Sequence, residues 1–236
     1  MTGEEDLIRE REQKIRSRRG SRLRFLNLVA FLLLLILLLP FFDYLGPGPL
    51  LLWTFNAAVL ISGGYAVSDR TINAVISAAF AVSALSSGWM HLLFGIHLAD
   101  AAASAFLAMF YGFTTIVILA RVLRYRVVDR ETIYGAISVY LLIGFTFATI
   151  YQLIERLSPG SFAFGGELLA GRENLFPQLV YYSFITLTTT GTGDFYPATD
   201  VVRSFAVLEA VIGTLYIAVL IARLIGIISA KPKPRR

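Results

Sequence analysis

Six long apolar stretches, residues 25–42, 50–67, 72–94, 98–123, 133–153 and 201–229, leave this chain few ways to fold. Each approaches or exceeds the roughly 20 residues that a helix needs to cross the hydrocarbon core of a bilayer. Backbone in lipid has no water to bond, so such segments close their hydrogen bonds internally as α-helices. The expected fold class is an all-α membrane protein with six transmembrane helices. Hydrophobic residues make up 56% of the 236, which is too apolar for an ordinary soluble domain and disfavours a soluble enzyme.

Lysine and arginine test that count independently, because loops on the two sides of a membrane differ in basic residues. With the N-terminus in the cytoplasm, eighteen of the twenty-one fall on the cytoplasmic side, and only Arg156, Arg172 and Arg203 fall outside. The pattern predicts a multi-pass protein of the cell membrane with both ends cytoplasmic. A net charge of +5 then reflects orientation and contact with anionic lipid headgroups. No interleaved aromatic surface accompanies the basic residues, so no nucleic-acid partner is expected. The chain has no cysteine, which removes disulfides and thiolate metal sites. The first span is long, follows a charged arm and lacks a small-residue cleavage site, so a cleaved signal is not expected.

Five regions follow from this reading: a basic cytoplasmic arm (1–24), a four-helix peripheral domain (25–123), a cytoplasmic linker (124–131), a two-span unit (132–229) and a basic tail (230–236). The tail is too short to fold as a ligand-binding domain. Within the two-span unit the pattern changes. LVYYSFITL, residues 179–187, is apolar and aromatic but gives only about three helical turns, too few to cross. After it comes TTTGTGD, residues 188–194, then the turn pair Tyr196-Pro197 and the last span. Glycine holds positive φ without a Cβ penalty, so Gly191-x-Gly193 suits a chain whose successive carbonyls point one way. Non-helical backbone at membrane depth needs protein or water around it.

YYSFITLTTTGTGDFYPAT resembles the pore region of the tetrameric potassium channels, and the resemblance extends over residues 133–229. It implies a re-entrant pore helix, a selectivity-filter loop and a homotetrameric pore in which a ring of main-chain oxygens replaces the water around a cation. Carried over residue by residue, Thr189, Thr190, Gly191 and Thr192 become carbonyl ligands for K⁺, with the Thr189 hydroxyl completing the innermost position. Gly193 closes the turn and Asp194 marks the outer mouth. The family usually has an aromatic ring where this chain has Thr192. Tyr181 and Tyr182, the matching aromatic pair on the pore helix, are expected to fill part of that gap. A potassium-selective channel is the implied function. A weakly selective monovalent cation channel and a non-conducting membrane sensor or assembly subunit are the alternatives. Permeant K⁺ is the one ligand implied, with no cofactor, and no nucleophile, base or metal cluster points to an enzyme.

Other residues carry expectations of their own. Pro177 suits a first helical turn with Asn174 as a cap, and the C-terminal end of that half-helix brings partial negative charge near Thr188. Glu209 is an ionisable group inside an apolar span and therefore a functional candidate. Hydrogen bonds to Thr186, Tyr182 or a backbone N–H would let it support the filter. Gly213 is a candidate gating hinge, although a small residue serves close packing equally well. Arg223 is expected to snorkel. Arg121, Arg124 and Arg126 do not repeat along a span as a voltage sensor requires. His91 and His97 read as packed or interfacial, too poorly accompanied for a metal site. Asp43, Asp100, Glu167, Glu173 and Asp200 read as acids outside the membrane, near the mouth.

Overall fold

The computed structural model describes residues 24–41, 48–124, 130–170, 175–191 and 193–229. Residues 1–23, most of the linker, the tail, Asp43, Arg172, Glu173, Asn174 and Thr192 lie outside the described residues. Among those described, six helices are long and apolar enough to span a membrane, and the protein is an all-α membrane protein. They are α1 (Arg24–Phe41), α2 (Gly48–Val67), α3 (Thr71–Phe94), α4 (His97–Val122), α5 (Arg130–Leu157) and α7 (Asp200–Ser229), with the short α6 (Phe176–Leu187) between the last two. Apolar counting locates the part of a helix that suits lipid rather than its ends. Accordingly α5 runs past the apolar stretch at both termini, through Arg130 and Glu131 at one end and Glu155 and Arg156 at the other.

The bundle is built around α5, which packs against α4, α6 and α7. In its apolar span 67% of residues are buried within the chain, against 11% in that of α7. Close approach to α6 depends on Gly144, where an added Cβ would come within 2.7 Å of the Phe184 ring. Small residues give membrane helices the proximity that apolar burial alone does not drive. At the end of the bundle where α1 begins, Asp69 is held by Arg24 (2.8 Å) and by Arg121. The Arg24 guanidinium also lies 4.4 Å from the centre of the Tyr65 ring. Arg121 is thus tied to the α2–α3 turn.

The apolar pattern predicts helices only, and the structure adds three short strands among the described residues. At the opposite end, β1 (Phe162–Phe164), β2 (Glu167–Leu168) and β3 (Phe195–Pro197) form a small antiparallel sheet in the order β2-β1-β3. Phe162 pairs with Pro197, Ala163 with Tyr196 and Phe164 with Phe195. Strands of two or three residues are too short to show a period of two, so hydrophobic patterning cannot reveal them. The sheet joins the chain leaving α5 to the chain entering α7, and it marks what is called here the sheet end.

Candidate functional site

The site is assembled on α6. Its buried residues Phe176, Leu179, Val180, Tyr182, Ser183 and Leu187 recur at helical spacing and face the bundle. Pro177 lies in the first turn, as expected, while Leu175 occupies the cap position without a side-chain bond. Twelve residues give a rise of about 18 Å, well short of a span.

After Leu187 the chain folds back on the helix it has left. The N–H groups of Thr188, Thr189, Thr190 and Gly191 donate to the carbonyls of Phe184 (3.0 Å), Thr186 (2.9 Å), Ile185 (2.8 Å) and Ile185 again (3.3 Å). These are carbonyls that a helix C-terminus otherwise leaves open. The Thr188 hydroxyl donates to Phe184 O at 2.8 Å and lies 2.9 Å from the Thr190 hydroxyl. Four successive donors are therefore turned toward α6, and among the described residues no backbone N–H donates to the carbonyls of Thr188–Gly191. All four residues are exposed in the single chain. Gly191 takes a positive φ of 81°, whereas Gly193 does not. The second positive-φ residue of the loop is instead Thr189, at 58°, a conformation that costs an L-residue about 1–2 kcal/mol. Its N–H bond back to Thr186 is part of what holds it there.

Behind the loop, Glu209 is fully buried on α7. Its partners are not those expected from the sequence. Tyr151 of α5 donates to Oε2 at 2.6 Å and Ser183 of α6 meets Oε1 at 2.5 Å. Ser183 Oγ also lies 2.7 Å from Gly144 O on α5. One carboxyl thus ties α7 to both α5 and α6. A hydroxyl has a single proton, so Ser183 serves only one of its two neighbours by donating. Both contacts close when the carboxyl group itself carries a proton and donates to Ser183.

Around this knot Tyr151, Phe162, Tyr182 and Phe195 form an aromatic cluster, with centroid separations from 5.2 Å for Tyr151–Tyr182 to 5.6 Å for Tyr182–Phe195. Tyr182 is buried within it, while Tyr181 is half exposed on another face of α6. The pair named from sequence is therefore divided by the helix. Gly213 faces the base of the loop: an added Cβ would strike the Leu187 carbonyl oxygen and lie 2.8 Å from Leu187 Cδ1. Around Gly213, α7 is continuous helix.

At the sheet end, buried Glu155 accepts the N–H of Gly160 at 2.7 Å and of Phe162 at 3.2 Å. This carboxylate fixes the turn that starts β1. Asp194 accepts through its backbone carbonyl from Gly165 at 3.0 Å, and its carboxylate accepts from Phe195 N at 2.9 Å. Asp100, expected among the acids near the mouth, is buried instead and pairs with Arg156 at 2.6 Å. That pair joins α4 to the end of α5. Among the described residues no three His, Asp or Glu side chains gather to hold a metal ion.

Ser183, Tyr151 and Glu155 carried no flag in the sequence. For Ser183 a signal existed, since it is the one non-aromatic polar residue on the buried face of α6.

Residues 135–230 match a protein family described as "Ion channel". No curated protein and no solved structure matches the chain. The match begins within α5, takes in α6, the loop and α7, and leaves α1–α4 outside it. This part of the chain is similar to an ion-channel domain.

Proposed function

We propose that four copies of this chain assemble into a potassium-selective channel whose filter is the loop of residues 189–193. The observation that carries this reading is the orientation of the loop at the tip of α6: four consecutive N–H groups are committed to the helix, and their carbonyls receive no backbone donor among the described residues. Such oxygens suit the replacement of a cation's hydration shell. The same residues are exposed in one chain, and lipid is no partner for non-helical backbone. Further copies supply the wall, with α7, barely buried in its own chain, turned toward them. The C-terminal end of α6 adds partial negative charge beneath the loop. Basic-residue bias supports cytoplasmic termini in contact with anionic lipid.

Thr192 favours a second reading, a weakly selective monovalent cation pore, because a threonine keeps the carbonyl but not the lateral packing of a ring. Purified protein in liposomes separates the readings. Thallium or potassium flux is expected, with a reversal potential in mixed K⁺/Na⁺ set toward K⁺. No flux across a range of voltage and pH would leave a non-conducting subunit. Thr192→Tyr is expected to raise the K⁺/Na⁺ permeability ratio, as read from the shift of the reversal potential. An unchanged ratio would show that position 192 does not set selectivity.

A further inference from the structure

We propose that His91 and His97 form a binding site for a divalent transition-metal ion of the zinc type at the sheet end of the peripheral helices. In sequence they are two isolated imidazoles. The structure folds α3 back along α4 through a turn so short that the two rings meet, with centroids 6.2 Å apart and planes inclined by 48°. The turn itself is fixed: Gly95 takes φ 66° and donates its N–H to His91 O at 2.8 Å, and Ala99 N–H donates to Ile96 O at 3.1 Å.

The same turn prepares one ring as a ligand. His91 Nδ1 lies 3.1 Å from the Ile96 carbonyl, an oxygen that only accepts, so Nδ1 carries the proton and Nε2 presents its lone pair. A metal-binding histidine is ordinarily oriented in this way, by a carbonyl or carboxylate on its other nitrogen. With Zn–N about 2.0–2.1 Å, each ring centroid lies about 3.2 Å from the ion. Two imidazoles on one ion then hold their centroids about 5 Å apart at a tetrahedral angle and about 6.4 Å apart when opposed. The observed 6.2 Å is about 1 Å wider than the tetrahedral separation that zinc prefers, and His97 is exposed, so its ring closes that gap by turning without repacking a core.

The donor set selects the ion. Imidazole nitrogen suits zinc, copper and nickel, and hard cations such as Mg²⁺ and Ca²⁺ require oxygen ligands. No third His, Asp or Glu completes the set among the described residues, so water fills the remaining positions and the affinity falls below that of a structural site with four protein ligands. Both histidines line a cavity of about 440 Å³ that also contains Asp100, Gln152 and Arg156. An ion here therefore clips α3 to α4 one helical turn from the Asp100–Arg156 pair that joins α4 to α5.

The test is calorimetric titration of ZnCl₂ into the purified full chain in neutral-lipid nanodiscs, with MgCl₂ as the comparison. One zinc ion per chain and no magnesium uptake are expected. His97→Gln, at an exposed position, is expected to weaken zinc binding by about tenfold or more with an unchanged melting temperature, and the His91→Asn/His97→Gln double variant to abolish it. Wild-type protein that takes up no zinc, or a double variant that binds as tightly as wild type, overturns the proposal. Binding is read without conduction, so this result and the channel reading stand or fall separately.

Discussion

Gly213→Ala is expected to cut ion flux by an order of magnitude or more while leaving the assembled protein folded. The added methyl strikes the carbonyl oxygen of Leu187 and presses on Leu187 Cδ1. A flexible side-chain tip would swing aside. This oxygen is main chain, and it belongs to the residue immediately before Thr188, so relief comes only by moving the end of α6 or the start of the loop. Overpacking of this kind costs about 1–3 kcal/mol, of which the better helix propensity of alanine returns about 1 kcal/mol. The net change in stability is therefore small, and on the proposed function the displacement of the loop accounts for the loss of flux. Flux from liposomes, measured beside a melting curve, checks this. A hinge would behave differently: unitary flux through Gly213→Ala would persist and only the open probability would change, an outcome that would remove the contact reading.

Glu209 should separate hydrogen-bond geometry from charge. In Glu209→Ala the Tyr151 hydroxyl, fully buried, loses its acceptor at a cost of about 1–3 kcal/mol, and a void opens between α5, α6 and α7. Ser183 keeps Gly144 O as acceptor and so contributes less. Glu209→Gln presents an amide N–H toward Ser183 and a carbonyl toward Tyr151, the same pattern that a protonated carboxyl group makes. The expected result is near wild-type melting and K⁺/Na⁺ selectivity for the glutamine variant, with lower melting and reduced selectivity for alanine. Equal impairment of both in reversal-potential measurements would mean that α7 needs a negative charge at this position and not a tie between helices.

The spans were legible because lipid enforces a length and an apolar composition that a window of sequence records directly. The half-helix was legible for the complementary reason, an apolar run too short to cross. Its start was marked by Pro177 in the first turn, although the apolar run begins only at Leu179 and a composition count alone leaves a helix end open by 1–2 residues. Glu209 stood out as an ionisable residue among apolar neighbours, but its partners did not. Choosing Ser183 over Tyr182 or Thr186 requires the azimuth of α6 relative to α7, a tertiary quantity. Tyr151 is one aromatic among many in α5 and gives no local signal. Asp100 was misplaced because an acid in the first turn of a helix usually faces solvent. Its neighbours Ala99, Ala101 and Ala103, all buried, mark a closely packed face, and Arg156 at the end of α5 was available to meet it. Gly191 and Gly193 were treated alike on composition, and only one of them uses the backbone freedom that glycine supplies.

The antiparallel pairing of β1 with β3 has a mechanical corollary. The loop between α6 and β3 is moored at both ends, by the N–H bonds of Thr188–Gly191 to the last turn of α6 and by the pairing of β3 with β1. In the single chain an added Cβ would meet nothing at Gly191 or Gly193, as at Gly166 in the β1–β2 turn, so the loop is constrained by its two moorings and not by crowding around it. On the proposed function, the placing of the loop is thus an inheritance from the scaffold.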